Sequence, residues 1–444
     1  MDFVKAFRIK DHEVIALVGG GGKTTTLFRL GRELAEQGKR VLLTTTARLG
    51  IEQVDLAPSL VTFDSNQQTV SDILPALQKQ AEESGVALLI NKLDPDQGKA
   101  VGVSPETIDA LSASKIFDVI INEADGAKKR PFKAPADHEP VIPETTTLVI
   151  PSVGLDALGQ PLSEDAVFRA NLIATLSPTA LGQPITADTV VSVLTHPAGG
   201  LKHVPTRARV VPFLNKADLI AFDQARQIGQ RLLETPRIEA VCIGSAQNPV
   251  GIDWVESRVA TVILAAGQAS RFGSPKQLAL WEGKPLLARA VDTALASEAS
   301  SVIVVLGAYA ETCRNIITDR PVQIVENPDW QQGQSTSMKA GLAALPPDVG
   351  AAIFMLADQP RLTPDVLNAL QGRYQQTLAP VVWPEHQGKR GNPILFDRSV
   401  FPEMQSVTGD TGAKPILKAY HNQAERVTIT HAGILFDVDT PKDL

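Results

Sequence analysis

At 444 residues the chain exceeds what one hydrophobic core usually organises, so two domains are expected. A composition of 43% hydrophobic and 20% charged residues is that of a globular protein, and a formal net charge of -7 excludes nucleic-acid binding by bulk positive charge. Two distant cysteines, Cys242 and Cys313, exclude a disulfide framework and a thiolate zinc site and are expected to be buried; with no signal-peptide pattern and no run of about 20 apolar residues, a cytoplasmic protein is expected.

Short runs rich in Val and Ile alternate with amphipathic stretches. In the first part, strands are predicted over 14–18, 40–44, 86–90, 117–121, 147–150, 209–214 and 240–243, with helices over 25–37 and 221–233. Runs apolar on both faces and separated by helices predict a parallel sheet covered on both sides. A second series has strands over 259–264, 301–306, 323–325, 351–356 and 381–383, with helices over 286–296, 335–344 and 363–374. The junction from Asn248 to Val259 holds turn formers and no long linker. It puts the boundary near Trp254 to Arg258 and divides the chain into 1–256 and 257–444.

The first predicted strand runs into "VGGGGKTTT", Val18 to Thr26. The loop is tighter than G-x-x-x-x-G-K-[ST], because Leu17 stands five before Gly22. Its mechanics are those of a phosphate loop: backbone N–H groups of Gly20, Gly21 and Gly22 around the phosphates, Lys23 on the β/γ oxygens, and Thr24 and Thr25 opening the helix with Thr24 toward Mg2+. Four consecutive glycines are not expected from packing alone. Further on, "NEADGA" ends a strand with Glu123 and Asp125, a placement that suits a Mg2+-linked or water-orienting carboxylate, or a plain strand-end turn. "FLNKADL" places Asn215, Lys216 and Asp218 as in the Asn-Lys-x-Asp element that reads guanine, and "IGSAQ" is similar to its companion loop. ATP or GTP is the expected ligand of this domain. His138 and His196 stand in loops, and no histidine pair has the spacing of a helix-borne metal site.

A second glycine-containing loop, "VILAAGQASRFGSPKQL" from Val262 to Leu278, also follows a strand and precedes a helix. Ala266 and Gly267 allow backbone approach to an anion, while Arg271 and Lys276 are either its counter-charges or solvated surface cations. "LADQPRL" delivers Asp358 at a strand end, as a Mg2+ carboxylate or as a turn cap. "FDVDTPKDL" supplies Asp437 and Asp439 as further ligands, on one face of an extended segment. "GQSTSMKAG" offers Gly333, Ser335 and Ser337 near a base or ribose, and is also the start of an N-capped helix. "GNP" at 391–393 and "GDTGA" at 409–413 are candidates for the second-substrate side.

The motifs "LAAGQASRFGSPKQL", "GQSTSMKAGL", "LADQP", "GNPILF", "GDTGAKPIL" and "DVDTPKDL" occur in the order seen in molybdenum cofactor cytidylyltransferases of the MocA type, relatives of the guanylyltransferase MobA. The resemblance covers 259–444, and its Ala-Ala-Gly form is that of the cytidylyl branch. It implies a Rossmann-like nucleotidyltransferase domain that joins CTP and Mo-molybdopterin into the cytosine dinucleotide with release of pyrophosphate. The catalytic residues it implies are Arg271, Lys276 and Asp358, with Mg2+ on Asp358 and on Asp439 or Asp437.

"VGGGGKTTT", "LLTTTARLG", "NEADGA", "PFKAPADHEPVIP" and "NKADL" resemble the YqeC-type family, described as accessory proteins of selenium-dependent hydroxylases; Arg48 stands where that family usually has His. The expectation is an α/β protein of two domains, a P-loop-like parallel α/β domain followed by the nucleotidyltransferase domain. Its expected role is in maturing molybdenum hydroxylases, with apoenzymes of the xanthine dehydrogenase family as partners and neither nucleic acid nor membrane. The alternative is a nucleotide-switched cofactor chaperone without transferase activity, which would not need the metal carboxylate.

Overall fold

The computed structural model describes residues 1–268 and 272–444. The chain forms two compact units, Met1–Glu256 and Ser257–Leu444. No helix among the described residues is long and apolar enough to cross a membrane.

The first unit is built on ten strands: β1 (Glu13–Gly19), β2 (Val41–Thr45), β3 (Leu60–Thr62), β4 (Val86–Ile90), β5 (Val119–Glu123), β6 (Leu148–Gly154), β7 (Arg209–Val210), β8 (Phe213–Asn215), β9 (Ala240–Gly244) and β10 (Ile252–Ser257). Their order is β10-β9-β8-β6-β1-β5-β2-β4-β3, with β7 also on β6. Pairings from β9 through β3 are parallel. The reason lies in the residues: Ile15, Ala16 and Leu17 of the central strand are wholly buried on both faces, as a sheet covered by helices requires. One layer packs Val153, Ile173, Val190 and Ile228, and the other Val14, Leu42, Leu77 and Ile108. Helices α1 (Lys23–Glu36) and α2 (Phe222–Leu233) fall where their periodicity puts them.

Two expectations change. The run over 209–214 is broken into β7 and β8 around Pro212, which has no N–H to give a ladder. The junction read as turn formers contains β10, the sheet's edge strand. Three short strands, Arg48–Gly50, Lys92–Asp94 and Lys99–Val101, form a separate antiparallel sheet with no apolar run to announce it.

The second unit carries β11 (Val259–Ala265), β12 (Ser301–Leu306), β13 (Gln323–Glu326), β14 (Ala351–Leu356), β15 (Val381–His386), β16 (Lys389–Arg390), β17 (Ile394–Asp397) and β18 (Glu425–Thr428). Their order is β13-β12-β11-β14-β17-β15-β16, with β18 on β15. β13, β12, β11 and β14 are parallel, whereas β17 runs antiparallel to β14 and β15. The sheet is therefore mixed: an apolar run such as Ile394–Phe396 does not encode strand direction. Helices α3 (Leu286–Leu295), α4 (Gln334–Ala343) and α5 (Pro364–Thr377) accompany it. Leu264 of β11 is level with Leu356 of β14, so the chain after both strands emerges at the same sheet end, where open α/β sheets collect ligands.

Candidate functional site

In the second unit a cavity of about 690 Å³ opens at that sheet end, lined on one side by Ala265–Gly267 and on the other by Leu356–Asp358. Lys276, held on a single helical turn, donates from Nζ to Asp358 Oδ2 at 2.7 Å and stands 3.6 Å from Asp439 Oδ1. The second oxygen of Asp358, Oδ1, is buried without a hydrogen-bond partner among the described residues. Val438 N donates to Asp358 O at 3.0 Å and its side chain is buried beside Phe272 and Leu286, which turns Asp437 and Asp439 to the other face. Asp437 accepts from Gln359 Nε2 at 2.7 Å. Partial burial first, and the Asp358 carboxylate second, hold its carboxyl above the ordinary range.

Among the described residues no group of three His, Cys, Asp or Glu side chains forms a metal cage. The donor set fits Mg2+ differently, through one or two carboxylates completed by substrate phosphates, and the orphaned Asp358 Oδ1 has the chemistry such a site would use. Asp439 is exposed and is the second candidate. Asp437 is committed to Gln359.

A Cβ built on Gly267 would meet nothing within 4 Å, so the protein itself does not demand glycine there; the position faces the open cavity. Gly333 differs, with φ +111° and a Cβ position 2.8 Å from Asp410 N. Asp410 Oδ1 caps α4 by accepting from Gln334 N at 3.1 Å, which brings the "GDTGA" loop to the cavity. Ser337 lines the cavity, with its Oγ accepting from Asn327 Nδ2 at 3.0 Å. Ser335 does not line it: that residue is buried, its N–H donating to Gly409 O at 3.3 Å. "GNP" is likewise absent from the lining, because Asn392 N donates to Ile434 O and a Cβ at Gly391 would strike the same carbonyl. Arg271 lies outside the described residues.

The lining also includes residues that the motif reading did not single out, among them Gln277 and Trp330, and it identifies Asp410 as the contributor from "GDTGA". Gln277 Nε2 donates to both Ala265 O (2.9 Å) and Gly267 O (2.7 Å), pinning the neck of the loop. Only the adjacency of Gln277 to Lys276, the aromatic among turn formers in "NPDWQQG", and the acid inside "GDTGA" signalled them.

In the first unit the glycine loop is packed tightly, contrary to the expectation that packing does not require its glycines. Gly19, Gly21 and Gly22 have φ of +91°, +71° and +111°. A Cβ on Gly21 would lie 2.0 Å from Gly154 N, on Gly20 2.9 Å from Arg130 O, and on Gly22 2.5 Å from Asn215 Nδ2. The loop's N–H groups are also differently used: Gly19 donates to Asp125, Gly20 to Ser152 O and Gly21 to Arg130 O. What remains toward a phosphate is the start of α1, which has no side-chain cap.

Lys23 is buried, donates to Gly19 O at 2.6 Å, and lies 3.2 Å from Asp125 and 3.7 Å from Glu123. Burial opposes its charge, but Asp125 and then Glu123 outweigh it, so it holds its proton more firmly than an ordinary lysine. Glu123, buried and served only at the longer distance, is raised by that burial despite Lys23 and the Thr24 hydroxyl donating at 2.8 Å. Asp125 also meets Lys133 at 2.9 Å, so two ammonium groups and the Gly19 N–H occupy it. In this arrangement it is an ion-pair hub rather than a metal ligand, since a dication there would face both ammoniums. Glu123 keeps the Thr24 hydroxyl at 2.8 Å and Lys23 only at 3.7 Å.

The network continues through Glu139, which pairs with Lys133 at 2.6 Å and with Arg169. Burial raises its carboxyl, yet those two cations prevail and hold it at about 2. Asn215 Nδ2 donates to Gly21 O (2.6 Å) and Oδ1 accepts from Ala246 N (2.8 Å), so the "NKAD" and "SAQ" segments meet at the glycine loop. Lys216 pairs with Asp156 at 2.6 Å, Thr25 is exposed at the first turn of α1, and the exposed Asp218 lies near Asp253. Both cysteines are free and buried.

The YqeC protein family model matches residues 15–171, and the MobA-like NTP transferase domain matches residues 261–425. The uncharacterised protein YqeC of Escherichia coli (strain K12) is 33% identical over 236 residues, covering 53% of this chain and 88% of that protein. For the second unit, nicotine blue oxidoreductase of Paenarthrobacter nicotinovorans is 30% identical over 193 residues, covering 42% of this chain and 94% of that protein. Molybdenum cofactor cytidylyltransferase of Escherichia coli (strain K12) is 29% identical over 189 residues, covering 42% and 94%. Through its first unit the chain belongs to the YqeC family, and its second unit is a MobA-like NTP transferase domain.

Proposed function

We propose that the second unit is a molybdenum cofactor cytidylyltransferase: CTP and Mo-molybdopterin give the cytosine dinucleotide of the cofactor and pyrophosphate. The observation that carries this reading is the Lys276–Asp358 pair at the cavity beside Gly267, with Asp358 Oδ1 left unpartnered. An acceptor phosphate oxygen forms a bond to the α-phosphorus as the bond from that phosphorus to the bridging oxygen of pyrophosphate breaks. No covalent enzyme intermediate is needed, because alignment and charge neutralisation carry such transfers. The loop at Ala266–Gly267, kept in shape by Gln277, receives the triphosphate tail. Lys276 turns from Asp358 toward the leaving pyrophosphate, with Arg271 as its companion cation. Asp358 and Asp439 would hold Mg2+, which supplies Lewis-acid charge at the α-phosphate. Gly333 and Ser337 border the nucleoside.

The first unit binds ATP or GTP at Gly20–Thr25, with Asn215, Lys216 and Asp218 toward the base and Glu123 as the metal-side acid. It serves later handling of the cofactor, such as sulfur or selenium insertion into client hydroxylases. Phosphate then replaces Asp125 as the partner of Lys23, and the start of α1 supplies the N–H groups that face it. Incubating the full chain with Mo-molybdopterin and each of the four nucleoside triphosphates tests the transferase reading. Cytosine dinucleotide from CTP is expected, and its absence with all four would refute the reading.

A further inference from the structure

Four tryptophans occur in the chain, and three of them pack on another aromatic ring. Trp254 donates to Glu256 at 2.7 Å and meets Phe222 edge-on, Trp281 packs on Phe436, and Trp383 stacks on His421 at an interplanar angle of 10°. Trp330 is different. It sits on the helical turn Trp330–Gln332, half-buried, at the 690 Å³ cavity. Among the described residues its ring meets no aromatic or cationic partner, and its indole N–H has no acceptor.

Its position says which part of a ligand it would meet. Gly307, the residue after β12, has no room for a Cβ because Trp330 Cβ and Ala266 O lie 2.8 and 2.6 Å from that point. Trp330 thus flanks the Ala266–Gly267 loop from the β12 side, while Asp358 flanks it from the β14 side, with β11 between them. Phosphate chemistry belongs to the side with Lys276 and Asp358. On the opposite side the lining places Trp330 beside the loop's first residues.

We propose that Trp330 is the stacking platform for the nucleobase of the bound nucleoside triphosphate, an inference that rests on the nucleotidyl-transfer reading. Stacking is sequence-tolerant, because every base has a π-face. Trp330 therefore supplies affinity, and base selection is left to polar groups at the base edge.

The test uses the full chain with Mg2+ in a Lys23→Ala background, which silences the first unit's loop. CTP and inorganic tripolyphosphate, which has no base, are titrated into the parent, Trp330→Phe and Trp330→Ala, with indole emission and calorimetry as readouts. CTP should quench emission in the parent, and that component should vanish in Trp330→Phe while affinity stays within about threefold. Trp330→Ala should weaken CTP about tenfold or more and leave tripolyphosphate unchanged. Unchanged CTP affinity in Trp330→Ala, or quenching by Mo-molybdopterin but not by CTP, overturns the proposal. Equal loss of tripolyphosphate makes Trp330 a packing residue and overturns it too. A parent that binds no nucleoside triphosphate refutes the transferase reading, and the stacking role falls with it.

Discussion

Asp358 uses its two oxygens differently: one holds Lys276 at 2.7 Å, and the other is buried with no hydrogen-bond partner among the described residues. Asp358→Ala should cut CTP-dependent pyrophosphate release about a hundredfold or more with an unchanged circular dichroism spectrum. Unaltered release would remove the residue from the reaction. In the first unit Lys133 is wholly buried between Asp125 and Glu139. Lys133→Met strips both acids of a partner, and a loss of roughly 3–5 kcal/mol is expected in urea unfolding. Glu139 gives the pH counterpart. Its carboxyl is held at about 2, below the unfolded value of about 4.3, so its contribution is complete above that value and disappears as pH falls toward 2. Urea midpoints should therefore decline across that window, and Glu139→Gln should flatten the decline.

The two glycine-bearing loops look alike in sequence and differ in what their glycines are for. In the loop after β1 the glycines answer to the protein's own backbone at Arg130, Ser152 and Gly154; in the loop after β11, Gly267 answers to open space. Gly20→Ala should thus lower the melting temperature, at a cost of roughly 1–3 kcal/mol from the 2.9 Å approach to two carbonyls. Gly267→Ala should melt with the parent and bind CTP more weakly. Equal melting behaviour of the two variants would contradict this distinction. Most parallel strands were readable at this scale, because burial on both faces leaves a continuous apolar run such as residues 302–306, whereas helices such as Val70–Ser84 and Pro105–Ser114 were not among those read. β10 and the small antiparallel sheet were not, because short, partly charged edge segments carry no such run.

At the scale of the molecule, one chain carries two glycine-bearing loops, one in each of two compact units. Lys23→Ala should abolish ATP or GTP binding by the first unit without changing dinucleotide formation, and Asp358→Ala should do the reverse. Parallel assays on both full-length variants check this, and loss of both activities in either variant would show the units to be coupled. The amino-acid sequence by itself determined the α/β class, the glycine loops and the motif residues, since periodicity and residue identity are local properties. Only the tertiary structure decided that Lys276 meets Asp358 across 82 positions, that Asp125 is taken by two ammonium groups, and that Trp330 comes to the cavity beside the Ala266–Gly267 loop. Such facts depend on which distant segments the sheet order brings together, and on the direction of strands such as β17, neither of which a residue's neighbours in sequence record.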